Sequence, residues 1–342
     1  MTTPHQAPAG TAGPSGGQSS PARSFVGVDV GGTKIAAGLV AADGTLLTSL
    51  VRPTPAADGP AAVLDAIAAA VRDLPGHERA GGLGIGTGGV IDRDTGVVLS
   101  ANDLLPGWAG THLSEELTAR LGLPVAADND ANVFALAEQT FGAGRGCRSA
   151  LYVSVGTGIG GGLVIGGRLL RGNHSTAGEF GHIAVPEAAG LRCNCGRTGH
   201  LEAVASGPAM TARFRELTGD DDGRGLRQVA ALAEAEPDRA GTAGATARTV
   251  LAEGAGALGR ALAGLVNAVD PERVVIGGGV ASVGDAYWRP LTEAFASELL
   301  PGPSGLRPAP ASLGPRAAVV GAASLLLEDR EGAASHPPPA AF

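Results

Sequence analysis

Val28-Asp29-Val30-Gly31-Gly32-Thr33, followed by Gly38-Leu39-Val40, is answered later in the chain by Val153-Ser154-Val155-Gly156-Thr157-Gly158, followed by Gly162-Leu163-Val164. Each copy reads as a strand, a glycine turn and a returning strand. Branched apolar residues alternate with small or polar ones at the two-residue period of a strand, and the glycines mark the reversal. A further turn follows in both, Asp43-Gly44 in the first and Gly166-Gly167 in the second. The repeat implies two related halves. Chance likeness between two glycine-rich strands is the competing reading.

Order is expected from Phe25, with strands at Ile35–Val40, Thr45–Leu50, Leu83–Gly86, Val97–Ser100, Val125–Ala127, Leu163–Ile165 and Val274–Ile276. Helical periodicity covers Gly59–Arg72, Leu113–Leu121, Ala131–Gly142, Pro208–Leu217, a long segment within Thr246–Val269, Tyr287–Leu299 and Ala317–Glu328. Strands alternating with helices place the chain in the α/β class, as two domains with a cleft between them. The smaller is expected at 25–127, joined by the helix at 317–328, and the larger at 128–308. Residues 1–24 and 331–342, rich in small residues and proline, are expected to be disordered tails.

The composition narrows the function. Of 342 residues 44% are apolar, enough for a substantial core, but only 3% are aromatic, so Ala, Val, Leu and Ile must fill it. A formal net charge of -8 argues against a broad electrostatic grip on nucleic acid or anionic lipid. Three cysteines exclude a disulfide scaffold. No secretory core and no run of 18 apolar residues is visible, so the expectation is a cytoplasmic protein with a small-molecule ligand.

Asp29-Val30-Gly31-Gly32-Thr33-Lys34 puts a carboxylate at a strand end and a glycine turn just beyond it. Glycine admits phosphate oxygens close to backbone N–H donors, Thr33 adds a hydroxyl, and Asp29 can hold Mg²⁺ directly or through water. Lys34 is the only lysine of the chain. Gly156-Thr157-Gly158-Ile159-Gly160-Gly161-Gly162 offers a denser nest of donors, although a plain hairpin remains the alternative for either turn. A dinucleotide fingerprint fails, because a strand and not a helix follows. Gly277-Gly278-Gly279, after the strand Val274–Ile276, could let a nucleoside lie against backbone.

Asn129-Asp130-Ala131-Asn132 follows a strand and opens a helix. Asp130 could take a proton from a hydroxyl oriented by Asn129, or the pair could simply cap the helix; spacing does not choose. His182, Cys193, Cys195 and His200 resemble a closed, structural zinc site of two thiolates and two imidazoles, within an insertion at 182–200. The competing reading leaves the cysteines as redox-active or idle thiols. If His182 binds metal through one ring nitrogen, its other nitrogen can donate to a ligand. Glu179 and Glu202 flank the cluster, and convergent acceptors with one rigid donor suit a polyol.

Taken in order, these motifs resemble the ROK family of bacterial sugar kinases and repressors, from Phe25 to about Leu327. They are Asp29-x-Gly31-Gly32-Thr33-Lys34, Leu105-Pro106-Gly107-Trp108, Asn129-Asp130-Ala131-Asn132, Gly156-Thr157-Gly158-Ile159-Gly160, Glu179-x-Gly181-His182, Cys193-x-Cys195-Gly196-x-x-Gly199-x-x-Glu202 and Asp270-Pro271 with Gly277-Gly278-Gly279. The resemblance implies an actin-like ATPase (ribonuclease H-like) fold and an ATP-dependent hexose kinase. Glucokinase is expected first, and N-acetylmannosamine or N-acetylglucosamine kinase second. It implies Asp130 as general base on the sugar 6-hydroxyl, with Gly89, Asn129, Glu179, His182 and Glu202 around the sugar. Asp29, Gly31, Gly32, Thr33, Lys34, Gly156, Thr157, Gly158, Gly278 and Gly279 would hold ATP and Mg²⁺. Family likeness also favours a homodimer. A repressor is disfavoured, because only 24 residues precede the first strand, too few for a winged-helix domain. Two departures stand out: His200 occupies the place of a third cysteine, and Gly88 the place where many members have proline.

Overall fold

The structure, a computed structural model, describes residues 23–101, 104–220 and 222–333. Of the two expected tails, residues 1–22 and 334–342 lie outside the described residues. Ser24 already belongs to the first strand, and 331–333 end the last helix.

The first half contains β1 (Ser24–Val30), β2 (Lys34–Ala41), β3 (Leu46–Pro53), α1 (Pro60–Arg72), β4 (Leu83–Thr87), β5 (Val90–Ile91), β6 (Val98–Ser100), α2 (Leu113–Leu121) and β7 (Val125–Asn129). It forms a five-stranded sheet of order β3-β2-β1-β4-β7. The first three strands pair antiparallel, and β4 and β7 join parallel to β1. The second half contains α3 (Asp130–Phe141), β8 (Ala150–Val155), β9 (Ile159–Ile165), β10 (Arg168–Leu170), α4 (Glu202–Ala205), α5 (Gly207–Thr218), α6 (Leu226–Glu234), α7 (Pro237–Val269), β11 (Arg273–Gly277), α8 (Asp285–Glu298), β12 (Ala309–Pro310) and α9 (Ala317–Ala333). Its sheet has the order β10-β9-β8-β11-β12, again three antiparallel strands followed by two parallel ones. The repeat legible in the glycine turns is thus a repeat of whole sheets.

Three apolar clusters explain the layering. Outside the first sheet, α1 supplies Val63, Leu64, Ile67, Ala68 and Val71, a stripe at helical spacing that packs on β1, β2 and β4. Outside the second sheet lie α5 to α8. Between the sheets α3 and α9 pack together with residues from both. Both faces of the central strands are covered: Val26, Val28, Val30, Leu83 and Ile85 are buried on the α1 side, while the alternate positions Gly27 and Gly84 face α9. The approach of α9 to the first sheet is too close for side chains. A Cβ at Gly27 would overlap the carbonyl oxygen of Val319, and one at Gly84 that of Ala322.

Several boundaries differ from expectation. The long helix starts at Pro237, and its first turn is set off by non-helical Gly241. From Gly241 to Val269 it is long and apolar enough to cross a membrane by length and composition, yet most of its apolar window is buried beside α5, α6 and α8, as in a core helix. The helix α6 and the two-residue strand β12 were not anticipated. The first lacks a side-chain cap at Gly225, and the second is a short edge strand ending in proline.

Candidate functional site

Parallel pairing aligns the carboxyl ends of the central strands. Val30 of β1 lies beside Thr87 of β4, and Thr87 beside Asn129 of β7. Everything that follows these residues therefore projects from one sheet edge, where ligands of α/β proteins bind. The turn Gly31-Gly32-Thr33 is closed by the Gly31 amide donating to the Lys34 carbonyl at 2.9 Å. Its counterpart Gly156-Thr157-Gly158 is closed by the Gly156 amide donating to Gly158. Thr33, Lys34, Thr157, Gly278 and Gly279 are all exposed at these turns. Gly278 has φ +87°, and a Cβ there would overlap the backbone of Val155, so the third glycine turn must lie flat against the second.

Asp130 begins α3 between the two sheets. The next residue, Ala131, has its Cβ only 2.8 Å from where a Cβ on Gly160 would stand. Asn129 caps the helix: its Oδ1 accepts from the amides of Ala131 (2.8 Å) and Asn132 (3.4 Å), and its Nδ2 donates to the Gly89 carbonyl at 2.8 Å. The capping alternative thus holds for Asn129, whose amide also ties the Gly88-Gly89 loop to the helix. Asp130 Oδ1 shares the Ala131 amide at 2.9 Å. Solvent reaches Asp130 from one side while protein surrounds it on the others, and this desolvation raises its carboxyl above the usual aspartate range, against the lowering effect of its backbone hydrogen bonds.

Asp29 faces the same space. Burial and the charge of Asp130 push it from 3.8 up to about 6, and Lys34 offsets part of the rise. A buried carboxylate raised by a neighbouring one in this way marks a site that favours a divalent cation or a proton between them. Glu179 completes the group. It is also raised, first by burial and then by Asp130 and Glu202, while His182 lowers it. The His182 Nε2 stands 3.6 Å from Glu179 Oε2.

The other ring nitrogen of His182 turns to the cysteines. Cys193 Sγ lies 3.7 Å from His182 Nδ1, and Cys195 Sγ lies 3.2 Å from His200 Nδ1. All four ligand atoms fall within 4.8 Å of one another. A tight knuckle builds this: the Cys193 amide donates to Arg197, the Gly196 amide donates back to Cys193, and a bridge between Ala184 and His200 sets the two histidines side by side. A tetrahedral zinc centre needs donors ~3.5 Å apart, so two sulfurs and two nitrogens at these separations fit it. Without a cation, burial pushes the Cys193 thiol up to about 11.

Glu202 connects this cluster to the second glycine turn. Its Oε2 accepts from the Ile159 amide at 2.8 Å, and its Oε1 lies 3.7 Å from Cys193 Sγ. A Cβ on Gly158 would come within 2.5 Å of the same carboxylate, so a larger residue there would push Glu202 aside. Cys147 is buried and His174 exposed, both away from the cluster.

The sequence reading missed three residues that hold this arrangement. Asp128 is buried and accepts at Oδ1 from the Asn129 amide and Asn132 Nδ2, each at 2.8 Å. Its Oδ2 accepts from Arg171 Nε at 2.7 Å, and Arg171 also pairs with Glu328 of α9. Trp108, part of a quoted motif without a stated role, is buried and donates from Nε1 to Thr87 Oγ1 at 3.1 Å beneath the Gly88-Gly89 loop.

The chain is similar to known proteins over nearly its whole length. A glucokinase of Halalkalibacterium halodurans is 38% identical over 296 residues, 82% of this chain and 87% of that protein. Among solved structures, a ROK hexokinase from Thermus thermophilus is 37% identical with a TM-score of 0.78, covering 90% of this chain and 100% of that one. A ROK family glucokinase from Streptomyces griseus, solved in complex with glucose and AMPPNP, is 34% identical with a TM-score of 0.74, covering 88% and 98%. The repeated five-stranded sheets are the actin-like ATPase architecture of these structures. The family model of ROK proteins matches residues 25–329, and the chain belongs to the ROK family.

Proposed function

We propose that the protein is an ATP-dependent hexose kinase that phosphorylates the 6-hydroxyl of glucose. The observation that carries this is Asp130: a solvent-reachable carboxylate with a raised proton affinity, at a helix start between two glycine turns and opposite a second carboxylate. A general base for a sugar hydroxyl needs such tuning, because a carboxylate of ordinary acidity is a weak acceptor near neutral pH. The 38% identical glucokinase and the glucose-bound structure support the same sugar and a nucleotide donor.

In this reading Asp130 accepts the 6-hydroxyl proton while the oxygen attacks the terminal phosphorus of ATP. Phosphoryl transfer passes through a loose transition state, so the protein's contribution is mainly alignment and neutralisation of charge. Glu179 and the Nε2 of His182 hold other sugar hydroxyls, and Glu202 supports them from behind the second turn. Gly89 presents backbone to the sugar, its carbonyl anchored by Asn129. The amides of Gly31, Gly32, Gly156 and Gly158, with the hydroxyls of Thr33 and Thr157 and the Lys34 ammonium, receive the phosphates; Gly278 and Gly279 pass beside the nucleoside. Asp29 would hold Mg²⁺, which neutralises phosphate charge when bound. Zinc on His182, Cys193, Cys195 and His200 would be structural, fixing the ring that donates toward the sugar. Closure of a smaller domain, residues 25–127 with the last helix, over a larger one, residues 128–308, excludes water. Family likeness further favours a cytoplasmic homodimer without nucleic-acid partners.

The test is ADP release by the purified protein against a hexose panel, with Asp130→Asn alongside. Glucose-dependent release that falls at least about a hundredfold in the variant is expected; full turnover by the variant removes Asp130 from its role. A second reading, an N-acetylhexosamine kinase, is favoured by the open space beside Gly88, where an added Cβ meets nothing within 4 Å. Preference for N-acetylmannosamine on the same panel would select it.

A further inference from the structure

Arg171 follows β10 at the far edge of the second sheet, yet its side chain reaches two elements elsewhere. Its Nε donates to Asp128 at the end of β7, while Nη1 and Nη2 grip both oxygens of Glu328 in α9 at 3.2 and 2.7 Å. The Asp128 side chain is 2% exposed, that of Arg171 19% and that of Glu328 28%. The backbone of Arg171 is engaged as well, since its carbonyl accepts from the Ala177 amide at 3.0 Å and so closes the loop leading to Glu179.

We propose that Arg171 is a positioning residue that fixes the turn carrying Asp130 relative to the loop carrying Glu179. The route is short. The guanidinium sets Asp128, Asp128 holds the Asn129 amide and Asn132 on either side of Asp130, and Asn129 in turn caps α3. On its other side the same residue pins the loop that leads to the sugar carboxylate. Buried ion networks of this kind add little net stability compared with apolar packing, but they specify geometry, and a planar fork with two carboxylate partners specifies it in two directions. The proposal rests on reading Asp130 as the base, and it adds a residue that touches neither sugar nor nucleotide.

The experiment compares Arg171→Met, Arg171→Lys and Glu328→Gln with the unaltered full-length chain, and repeats Arg171→Met in an Asp130→Asn background. Arg171→Met is expected to lower kcat with glucose by about 10–100-fold, the loss associated with sub-ångström to 1 Å misplacement, while the KM for ATP changes less than about twofold. Arg171→Lys should recover part of kcat, because an ammonium can serve one carboxylate but not all three contacts. In the Asp130→Asn background the Met substitution should cost little more, since the alignment that Arg171 provides acts through the Asp130 carboxylate, which is then already gone. An equal loss in both backgrounds, or a raised KM for ATP with kcat intact, overturns the proposal. If Arg171→Met does not fold, Glu328→Gln carries the test: a several-fold fall in kcat that vanishes in the Asp130→Asn background supports it, and unchanged kcat refutes it. Full turnover by Asp130→Asn alone would instead defeat the assignment of the base, a result distinct from an inert Arg171→Met.

Discussion

Replacing Asp29 by Asn should make the ligand-free protein more stable and the enzyme inactive. Asp29 ionises in the folded state only at about 6, against 3.8 for a free side chain, chiefly because it is desolvated and faces Asp130. The folded chain therefore binds more protons than the unfolded chain between those values, and stability falls as pH rises through that window. The penalty is absent below about 3.8 and complete above about 6. A gap of about 2 pH units at 1.36 kcal/mol each makes a penalty of roughly 3 kcal/mol at pH 8, an upper figure because solvent reaches part of the side chain. Asparagine is nearly isosteric and cannot ionise, so it should remove the penalty. Urea unfolding of the metal-free, nucleotide-free protein at pH 8 and pH 5 measures it. The gain should be largest at pH 8 and about half as large at pH 5, and glucose-dependent ADP release should disappear at both. Equal stabilities of variant and parent at pH 8 would refute the argument that burial and a facing carboxylate strain this site.

Other outcomes follow from the same geometry. Gly84→Ala places a methyl group inside the Ala322 carbonyl and should lower unfolding free energy by about 3 kcal/mol, read from urea denaturation, because neither the sheet nor α9 can move aside cheaply. Metal analysis of the purified protein should find about one zinc per chain. Cys193→Ser should lose it and raise the KM for sugar more than that for ATP, since the His182 ring that faces Glu179 is freed; an unchanged sugar KM would separate the cluster from the site. Turnover should decline on the acid side at a pH above the ordinary aspartate value, as Asp130 becomes protonated.

Features encoded by neighbours in the chain were legible; features encoded by partners far apart were not. The β1–β2 and β8–β9 hairpins declare themselves by alternation and glycine, and α3 by the Asn129 cap, so the repeat and one wall of the site could be read directly. The Cys/His cluster was also visible, because its ligands fall within one short insertion. Arg171, Asp128 and Glu328 carry no local signature: the partners are separated by 43 and 157 positions, and an arginine just past a short edge strand looks like any surface cation. The neighbourhood of Glu202 in the sequence points to a sugar acceptor, but its bond to the Ile159 amide depends on how two distant loops meet. Asn129 shows the remaining limit. Spacing offered capping and substrate contact as rivals, whereas the side chain caps α3 and anchors the Gly89 carbonyl together.

The seating of α9 against β1, β2 and β4 governs how the molecule comes into being. A ribosome releases the first three strands long before it makes the helix that covers them, so much of the inner face of the amino-terminal sheet must wait uncovered until α9 has emerged. Nascent chains would then finish their second half first, and any product stopped before Ala317 would keep an open sheet prone to pairing with other chains or to capture by chaperones.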